Sequence, residues 1–336
     1  MKFAVYLAQR TLLSLFAVAG AVCLIFFLTH VLPGNPLISR VTLAGPDTLR
    51  RIKEQLGLNR PLSAQFVDYL RGLVHGDLGQ SGVSGRSVSS DLQDRAPATI
   101  ELALVATILA LLVSIPLGVY AAVRQGTLVD RIARTFSSLA VSMPAFWIGI
   151  LLIYLFFYRA KLAAAPLGRL NVDTVAPPNV TGLLTVDSLI HGNWAAFADA
   201  ADHLVLPAVT LAITVSAPLV RITRATMLEV IAQPFITCDR ALGLPERVVV
   251  MRDGLRNSLV AVLTVTGLIF GYLVSSSVLV EQVFAWPGIG GYAFDALVNN
   301  DFAAIQGFVL VVAVTYVAIN WAVDALYGVI DPRVRV

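Results

Sequence analysis

Ile100-Glu-Leu-Ala-Leu-Val-Ala-Thr-Ile-Leu-Ala-Leu-Leu-Val-Ser-Ile-Pro-Leu-Gly-Val-Tyr-Ala-Ala-Val123 carries a single charge, Glu101, at its start. About 20 apolar helical residues cross a bilayer core of about 30 Å, and this run is long enough. Five more such runs lie near 11–32, 136–158, 204–220, 258–280 and 305–330. The composition agrees. Of 336 residues, 57% are hydrophobic and 13% charged, against about 45–50% and 25% in soluble domains. Too few polar groups remain to cover a water-facing surface, and too few charges for a disordered or nucleic-acid-binding protein. The chain reads as an all-α integral membrane protein of six transmembrane helices, one domain over 1–336, surrounded by lipid. Cys23 and Cys238 are too few for a disulfide framework.

The first run follows Lys2 and Arg10, as a signal peptide would. Its stretch from Thr11 to Leu32 exceeds a 7–15-residue signal core, and Pro33-Gly34-Asn35-Pro36 replaces a small-residue cleavage site. It counts as the first span. With the N-terminus inside, the cytoplasmic segments hold Lys2 and Arg10, then Arg124, Arg131 and Arg134. Next come Arg221, Arg224, Arg240, Arg247, Arg252 and Arg256, and last Arg333 and Arg335. The outer segment 281–304 has no Lys or Arg, and 159–203 has only Arg159, Lys161 and Arg169. The long outer segment 33–98 carries more, but loops beyond about 60 residues barely count in the positive-inside rule. Both termini are therefore placed in the cytoplasm.

The segment 33–98 has structure of its own. Asp47 can cap a helix bearing Leu49, Ile52 and Leu56, with Gly57 as its stop. Phe66, Tyr69, Leu70 and Leu73 form a second stripe ending before Gly76. These helices either lie on the membrane surface, brace an outer pore mouth, or pack against the bundle. Gly79 through Ser90, rich in Gly and Ser, reads as an exposed loop.

The cytoplasmic segment 221–257 is longer than a simple connection needs. Pro234 suits a helix start and Gly243 a helix stop. Between them Phe235, Ile236, Ala241 and Leu242 stand among polar residues, a short capped helix shaped to dock into a groove on another protein.

This segment resembles the Glu-Ala-Ala ("EAA") loop of ABC-importer permeases, where a helix followed by glycine couples to the ATPase subunit. Thr237, Cys238 and Asp239 stand at the three naming positions, and none is Glu or Ala. The peptide/nickel branch has a Thr-Ala-Arg-Ala-Lys-Gly-Leu run there, which Thr237-Cys-Asp-Arg-Ala-Leu-Gly243-Leu244 resembles. Leu255-Arg-Asn-Ser-Leu259 resembles that branch's Leu-Arg-Asn-Ala-Leu. Other stretches fall in the order expected: Leu32-Pro-Gly-Asn-Pro36, Leu56-Gly-Leu-Asn-Arg-Pro-Leu62, Gly76-Asp-Leu-Gly-Gln-Ser81, Arg95-Ala-Pro-Ala-Thr-Ile-Glu-Leu102 and Pro144-Ala-Phe-Trp147. Val280-Glu-Gln-Val-Phe-Ala-Trp-Pro-Gly-Ile-Gly290 and Asp331-Pro-Arg333 close the match, which is thinnest over 159–203. The chain thus resembles the permeases of dipeptide/oligopeptide/nickel importers over nearly its whole length.

The resemblance implies a type I importer permease fold and import of di- or oligopeptides. Nickel chelates, glutathione or opines are the alternative cargoes. It assigns ATPase coupling to Phe235, Ile236, Thr237, Cys238, Asp239, Arg240, Ala241, Leu242, Gly243 and Leu244. The implied partners are a second permease in a heterodimer, two ABC ATPase subunits that hold ATP and Mg, and an extracytoplasmic binding protein. The location it implies is the bacterial inner membrane.

Ser275, Ser276, Glu281, Trp286, Pro287, Gly288 and Asp324 are the candidate path or gate residues. An intramembrane acid is a functional hypothesis by default, and Asp324 either lines a path or bonds a neighbouring helix. Glu281 precedes a Trp-Pro-Gly turn that either gates the outer side or anchors Trp286 at the interface. Ser275, Ser276 and Ser277, with Thr264 and Thr266, either hydrate a path or pack helices. Pro116, Pro144, Pro207 and Pro218 mark kinks. His30, His75, His191 and His203 show no ligand spacing, so no metal or cofactor is assigned to this chain. None of the three lysines follows glycine, so there is no P-loop and energy must come from a partner. An ion-coupled carrier would need an internal repeat with broken helices, and none is visible. An intramembrane enzyme would need His-Glu-x-x-His, Gly-x-Ser-x-Gly or paired aspartates, and these are missing.

Overall fold

Two long helices form the centre of the molecule: α3 (Val88–Val123) and α7 (Trp194–Ile231). The computed structural model describes residues 2–31 and 60–330. Ala103, Ala106, Ala110, Ser114 and Gly118 recur every three or four residues on α3, all buried. Such a small-residue stripe lets backbones approach where lipid supplies no hydrophobic drive between helices. A Cβ on Gly118 would stand 2.7 Å from Cβ of Thr223 on α7, so this approach requires glycine.

Around this pair run α1 (Lys2–Val31), α2 (Leu62–Val74), α4 (Leu128–Ser142) and α5 (Ala145–Leu152), which continues as a wider turn over Ile153–Arg159. Then come α6 (Leu184–Ile190), α8 (Pro234–Ala241), α9 (Leu255–Ser276), α10 (Val278–Val283), α11 (Ile289–Val298) and α12 (Phe302–Ile330). Among the described residues the only strand-like pairing is the bridge Gln80–Ser87. α12 packs on α9, where Gly267 meets Val323 and Gly271 meets Tyr316. α1 packs on α12, with Trp321 Nε1 donating to Thr11 Oγ1 at 3.0 Å.

Among the described residues five helices are long and apolar enough to cross a membrane, or six if one bent pair is a single span. That pair contains the stretch 136–158, read above as one span with a kink at Pro144. It bends by 103° between Leu128–Ser142 and Ala145–Arg159. Pro144 offers no N–H and pushes Met143 to an extended conformation, φ −98° and ψ 129°. Pro116, Pro207 and Pro218 sit inside continuous helices, where neighbours keep the chain helical.

Helix lengths also differ from the apolar runs. α7 begins ten residues before 204 and continues into the segment 221–257, because helical hydrogen bonding does not stop where apolarity does. α3 likewise begins inside 33–98, with Pro97 in its first turns. Gly79–Ser90 is a tied turn: Ser81 is buried and its Oγ donates to Asp301 Oδ2 at 2.6 Å. The stripe on α2 packs on the bundle, with Phe66 and Tyr69 rings 5.0 and 5.6 Å from Phe26 of α1. The helix assigned to Asp47, Leu49, Ile52 and Leu56, and the Leu32–Pro36 and Asp331–Arg333 motifs, lie outside the described residues.

Candidate functional site

α8 projects after α7, with Pro234 at its first turn and Gly243 just past its end. Gly243 has φ +76°, and its N–H bonds to Arg240 O while the Leu244 N–H bonds to Asp239 O. This pair of bonds closes a helix at a left-handed residue, a conformation that glycine adopts without a Cβ penalty. Ile236 is fully buried and roots the helix on the wide turn Val249–Gly254. Phe235 is 43% and Leu242 74% exposed, two apolar side chains left facing outward. Thr237, Cys238, Arg240 and Ala241 are exposed, and Asp239 and Leu244 half-buried. Arg240 clasps Glu246 by two bonds, of 2.7 and 3.1 Å, across the turn that follows. The ten residues assigned to coupling thus form one exposed knob with one buried root.

The root continues inward. A Cβ on Gly254 would lie 2.6 Å from Met227 Cε of α7. Met227 is buried and receives the Ser258 hydroxyl of α9 at 3.7 Å. A push on α8 therefore meets packed atoms of α7 and α9.

The second cluster centres on Glu281, fully buried on α10. Its Oε1 accepts the hydroxyls of Thr99 at 2.7 Å and Ser277 at 2.9 Å, and Oε2 accepts the Gly291 N–H at 3.0 Å. Thr99 Oγ1 in turn accepts the Ile289 N–H at 2.9 Å. Gly288 abuts this carboxylate so closely that a Cβ would overlap Glu281 and Thr99. Trp286, for which gating and interfacial anchoring both stood open above, is buried at 3% exposure. Its indole N–H donates to Ala98 O at 2.9 Å, so the turn folds into the bundle because α3 offers that carbonyl.

Of the candidate path residues, the structure brings Glu281, Trp286 and Gly288 together, with Pro287 exposed between them. Ser275 lies apart, back-bonded to Gly271 and Tyr272 carbonyls, and Ser276 is half-buried. Asp324 lies on α12; its side chain is outside the described residues.

Sequence reading missed the neighbouring Glu101. It is 3% exposed and pairs with Arg169, which also stacks over the Trp286 ring at 5.7 Å. Glu101 Oε1 accepts the Thr185 N–H at 2.8 Å, tying the segment 159–203 to α3. One available signal was that Glu101 is the lone charge of an otherwise apolar run.

Asp187 of α6 fastens the same segment. Its carboxylate accepts Thr181 N and Oγ1 at 2.8 and 2.7 Å, Gly182 N at 3.0 Å and Val180 N at 3.3 Å. Burial by itself would raise this carboxyl, but the four hydrogen bonds outweigh it and hold it below the ordinary aspartate range. Among the described residues no group of three metal-ligating side chains converges.

Two family models cover the chain: the binding-protein-dependent transport system inner membrane component over residues 114–336, and the corresponding N-terminal membrane component over 2–103. The chain belongs to this family. This permease is 40% identical over 335 residues to the probable D,D-dipeptide transport system permease protein DdpB of Escherichia coli (strain K12), covering 99% of this chain and 98% of that one. It is 38% identical to the dipeptide transport system permease protein DppB of the same strain, covering 94% of each. The glutathione transport system permease protein GsiC of Salmonella choleraesuis (strain SC-B67) is 34% identical, covering 93% of this chain and 92% of that one. A solved structure of the MetNI methionine ABC transporter, in inward-facing conformations, matches with TM-score 0.51 at 18% identity. That likeness covers 70% of this permease and 93% of that chain, and is one of fold. The permease is a multi-pass inner-membrane component of an ABC importer, working with ATPase and substrate-binding partners as its family does.

Proposed function

We propose that this permease carries di- or oligopeptides inward, driven by ATP that two partner ATPases bind with Mg and hydrolyse. The observation that carries the cargo is the near full-length similarity to two permeases named for dipeptides. An extracytoplasmic binding protein delivers the peptide, and a second, different permease completes the path. Both termini lie in the cytoplasm, which puts α8 on the ATPase side. Its exposed Phe235 and Leu242 enter a groove on the ATPase, and Ile236 relays the push to Val249–Gly254 and Met227. A bistable helix bundle turns that push into alternating access. The cluster of Glu281, Trp286, Pro287 and Gly288 holds the outer side, with Ser275, Ser276 and Asp324 nearer the path. The 34% identical glutathione permease favours glutathione as a second cargo on the same machinery.

Purification of the tagged chain in mild detergent, followed by mass spectrometry, tests the assembly. Two P-loop ATPases and a second permease are expected alongside it. Liposomes holding that complex and its binding protein should then take up labelled dialanine with ATP. A chain that purifies alone and moves solute without ATP would overturn the reading.

A further inference from the structure

α4 has three faces. At 100° per residue, the buried Asp130, Ala133, Ser137 and Ala140 share one side, against α3 and α7. Leu128, Ile132 and Leu139 expose an apolar side, at 69%, 55% and 54%. Arg131, Arg134, Thr135, Ser138 and Ser142 occupy the remaining sector, about 100° wide. With Leu139 at its edge this sector floors an open depression of about 530 Å³. All five polar residues are exposed.

The polar stripe runs from Arg131 to Ser142, about 16 Å at 1.5 Å per residue, or half a bilayer core. It reaches the Met143–Pro144 break, beyond which Ala145–Leu152 is wholly apolar. Ser142 satisfies its hydroxyl on Ser138 O at 2.9 Å, as a serine facing lipid would. Thr135 and Ser138 hydroxyls have no protein partner among the described residues. Ser138 falls inside the span 136–158 and Thr135 at its inner edge, so their open hydroxyls, beside two guanidinium groups at the membrane boundary, need water or a polar guest. On the same helix the stripe adjoins the lipid-compatible sector of Leu128, Ile132 and Leu139, so the boundary between polar and apolar faces runs along α4.

We infer that this face of α4 lines the water-filled translocation path, and that Arg131 and Arg134 at its inner end receive the carboxylate terminus of the peptide cargo. The second part rests on the peptide reading above; the first does not. An anionic cargo end meets the exposed Arg131, with Arg134 beside it partly engaged by Asp130 at 3.6 Å, just where it leaves the membrane, and the hydroxyls upstream hydrate the backbone on its way. None of the residues assigned earlier to path or gate lies on α4.

Single cysteines at Thr135, Ser138 and Ile132 in the assembled complex test the path. A membrane-impermeant maleimide is added from the cytoplasmic side, with sites read by peptide mapping to separate them from Cys23 and Cys238. Thr135→Cys and Ser138→Cys should label in the resting complex and lose label when ATP and vanadate trap the closed state. Ile132→Cys should stay unlabelled throughout. Equal labelling in both states would make the stripe a solvated cytoplasmic face and overturn the inference, as would strong labelling at Ile132. For the carboxylate, uptake of dialanine and dialaninamide is compared at saturating binding protein. Arg131→Ala should slow dialanine about two- to fivefold, the range an exposed charge pair supports, and spare the amide. Equal slowing of both would remove the carboxylate assignment. If the wild-type complex moves neither compound, the peptide reading has failed, while the labelling pattern still decides the path.

Discussion

Thr99 Oγ1 of α3 donates to Glu281 Oε1 at 2.7 Å, joining residues 182 apart in the chain. The same carboxylate takes Ser277 Oγ and Gly291 N, so one buried group fixes α3, the α9–α10 junction and the Trp286–Gly291 turn. Removing it strands three donors away from water, at about 1–3 kcal/mol each. Glu281→Ala should therefore lower the melting temperature of the detergent-solubilised chain more than Thr99→Val does. The double variant should lose less than the sum, because the two share one network. Additive losses would mean that the carboxylate does not bind these elements together.

Gly288 gives a sharper version of the same test. Its missing Cβ is where Glu281 and Thr99 lie, so Gly288→Ala must displace the carboxylate or the turn. A destabilisation of about 1–3 kcal/mol is expected, as for overpacking elsewhere. Thermal unfolding equal to wild type would show that the turn adapts freely.

Gly243 behaves in the opposite way. Nothing lies within 4 Å of a Cβ placed there, but φ +76° strains any side chain. The cost of about 1–2 kcal/mol per left-handed residue falls on the end of α8 alone. Gly243→Leu should insert and fold normally yet uncouple ATP hydrolysis from uptake, while Gly243→Asn retains much of the coupling because Asn tolerates this conformation. Uptake by Gly243→Leu at the wild-type rate would end the coupling assignment.

Asp187 makes the segment around α6 sensitive to acid. Its folded pKa lies below the unfolded value of about 3.9. A depressed carboxyl contributes stability that is fully present above the unfolded value, and loses it as pH falls through the folded one. The protection factors for hydrogen exchange over residues 180–191, taken against the intrinsic rate at each pH, should be high at pH 7 and fall below about pH 3.9 as the carboxylate is protonated. Asp187→Asn should show low protection at both. Unchanged protection of the wild type in acid would leave the four hydrogen bonds without energetic weight.

The membrane spans were legible because length and apolarity are local properties, and α8 because Pro234 and Gly243 punctuate it. The bend at Pro144 was only half legible. Four prolines looked alike in sequence, and tertiary packing decided that three of them stay inside continuous helices. Trp286 stayed open between gate and anchor because its composition suits an interface, whereas its place depends on the Ala98 carbonyl, 188 residues away. The Glu101–Arg169 pair spans 68 residues and a segment of weak pattern, so no periodicity could announce it. Charges on α4 were counted for orientation, but their common face emerged only once the small residues were seen buried.

The joint between α4 and α7 is a buried fork. Arg224 donates Nε to Asp130 Oδ1 at 2.7 Å and a second guanidinium nitrogen to Oδ2 at 3.1 Å, with Asp130 only 1% exposed. The Gly126 N–H adds a third bond at 3.0 Å. Truncating the arginine leaves the buried carboxylate only the Gly126 N–H and the exposed Arg134, whose Nε stands 3.6 Å from Oδ1. The cost therefore falls below the about 3–5 kcal/mol of a fully unpaired buried charge. Arg224→Lys cannot reproduce the planar fork and should recover only part of the loss. Replacing both by apolar residues of similar size should recover most of the stability, since no buried charge remains. Transport separates structure from transmission: α7 carries the root of α8, so without the fork a push reaches α7 but not α4. The apolar double variant should thus fold, hydrolyse ATP and take up less cargo per ATP than wild type. Uptake per ATP at the wild-type ratio would leave the fork as a structural clasp alone.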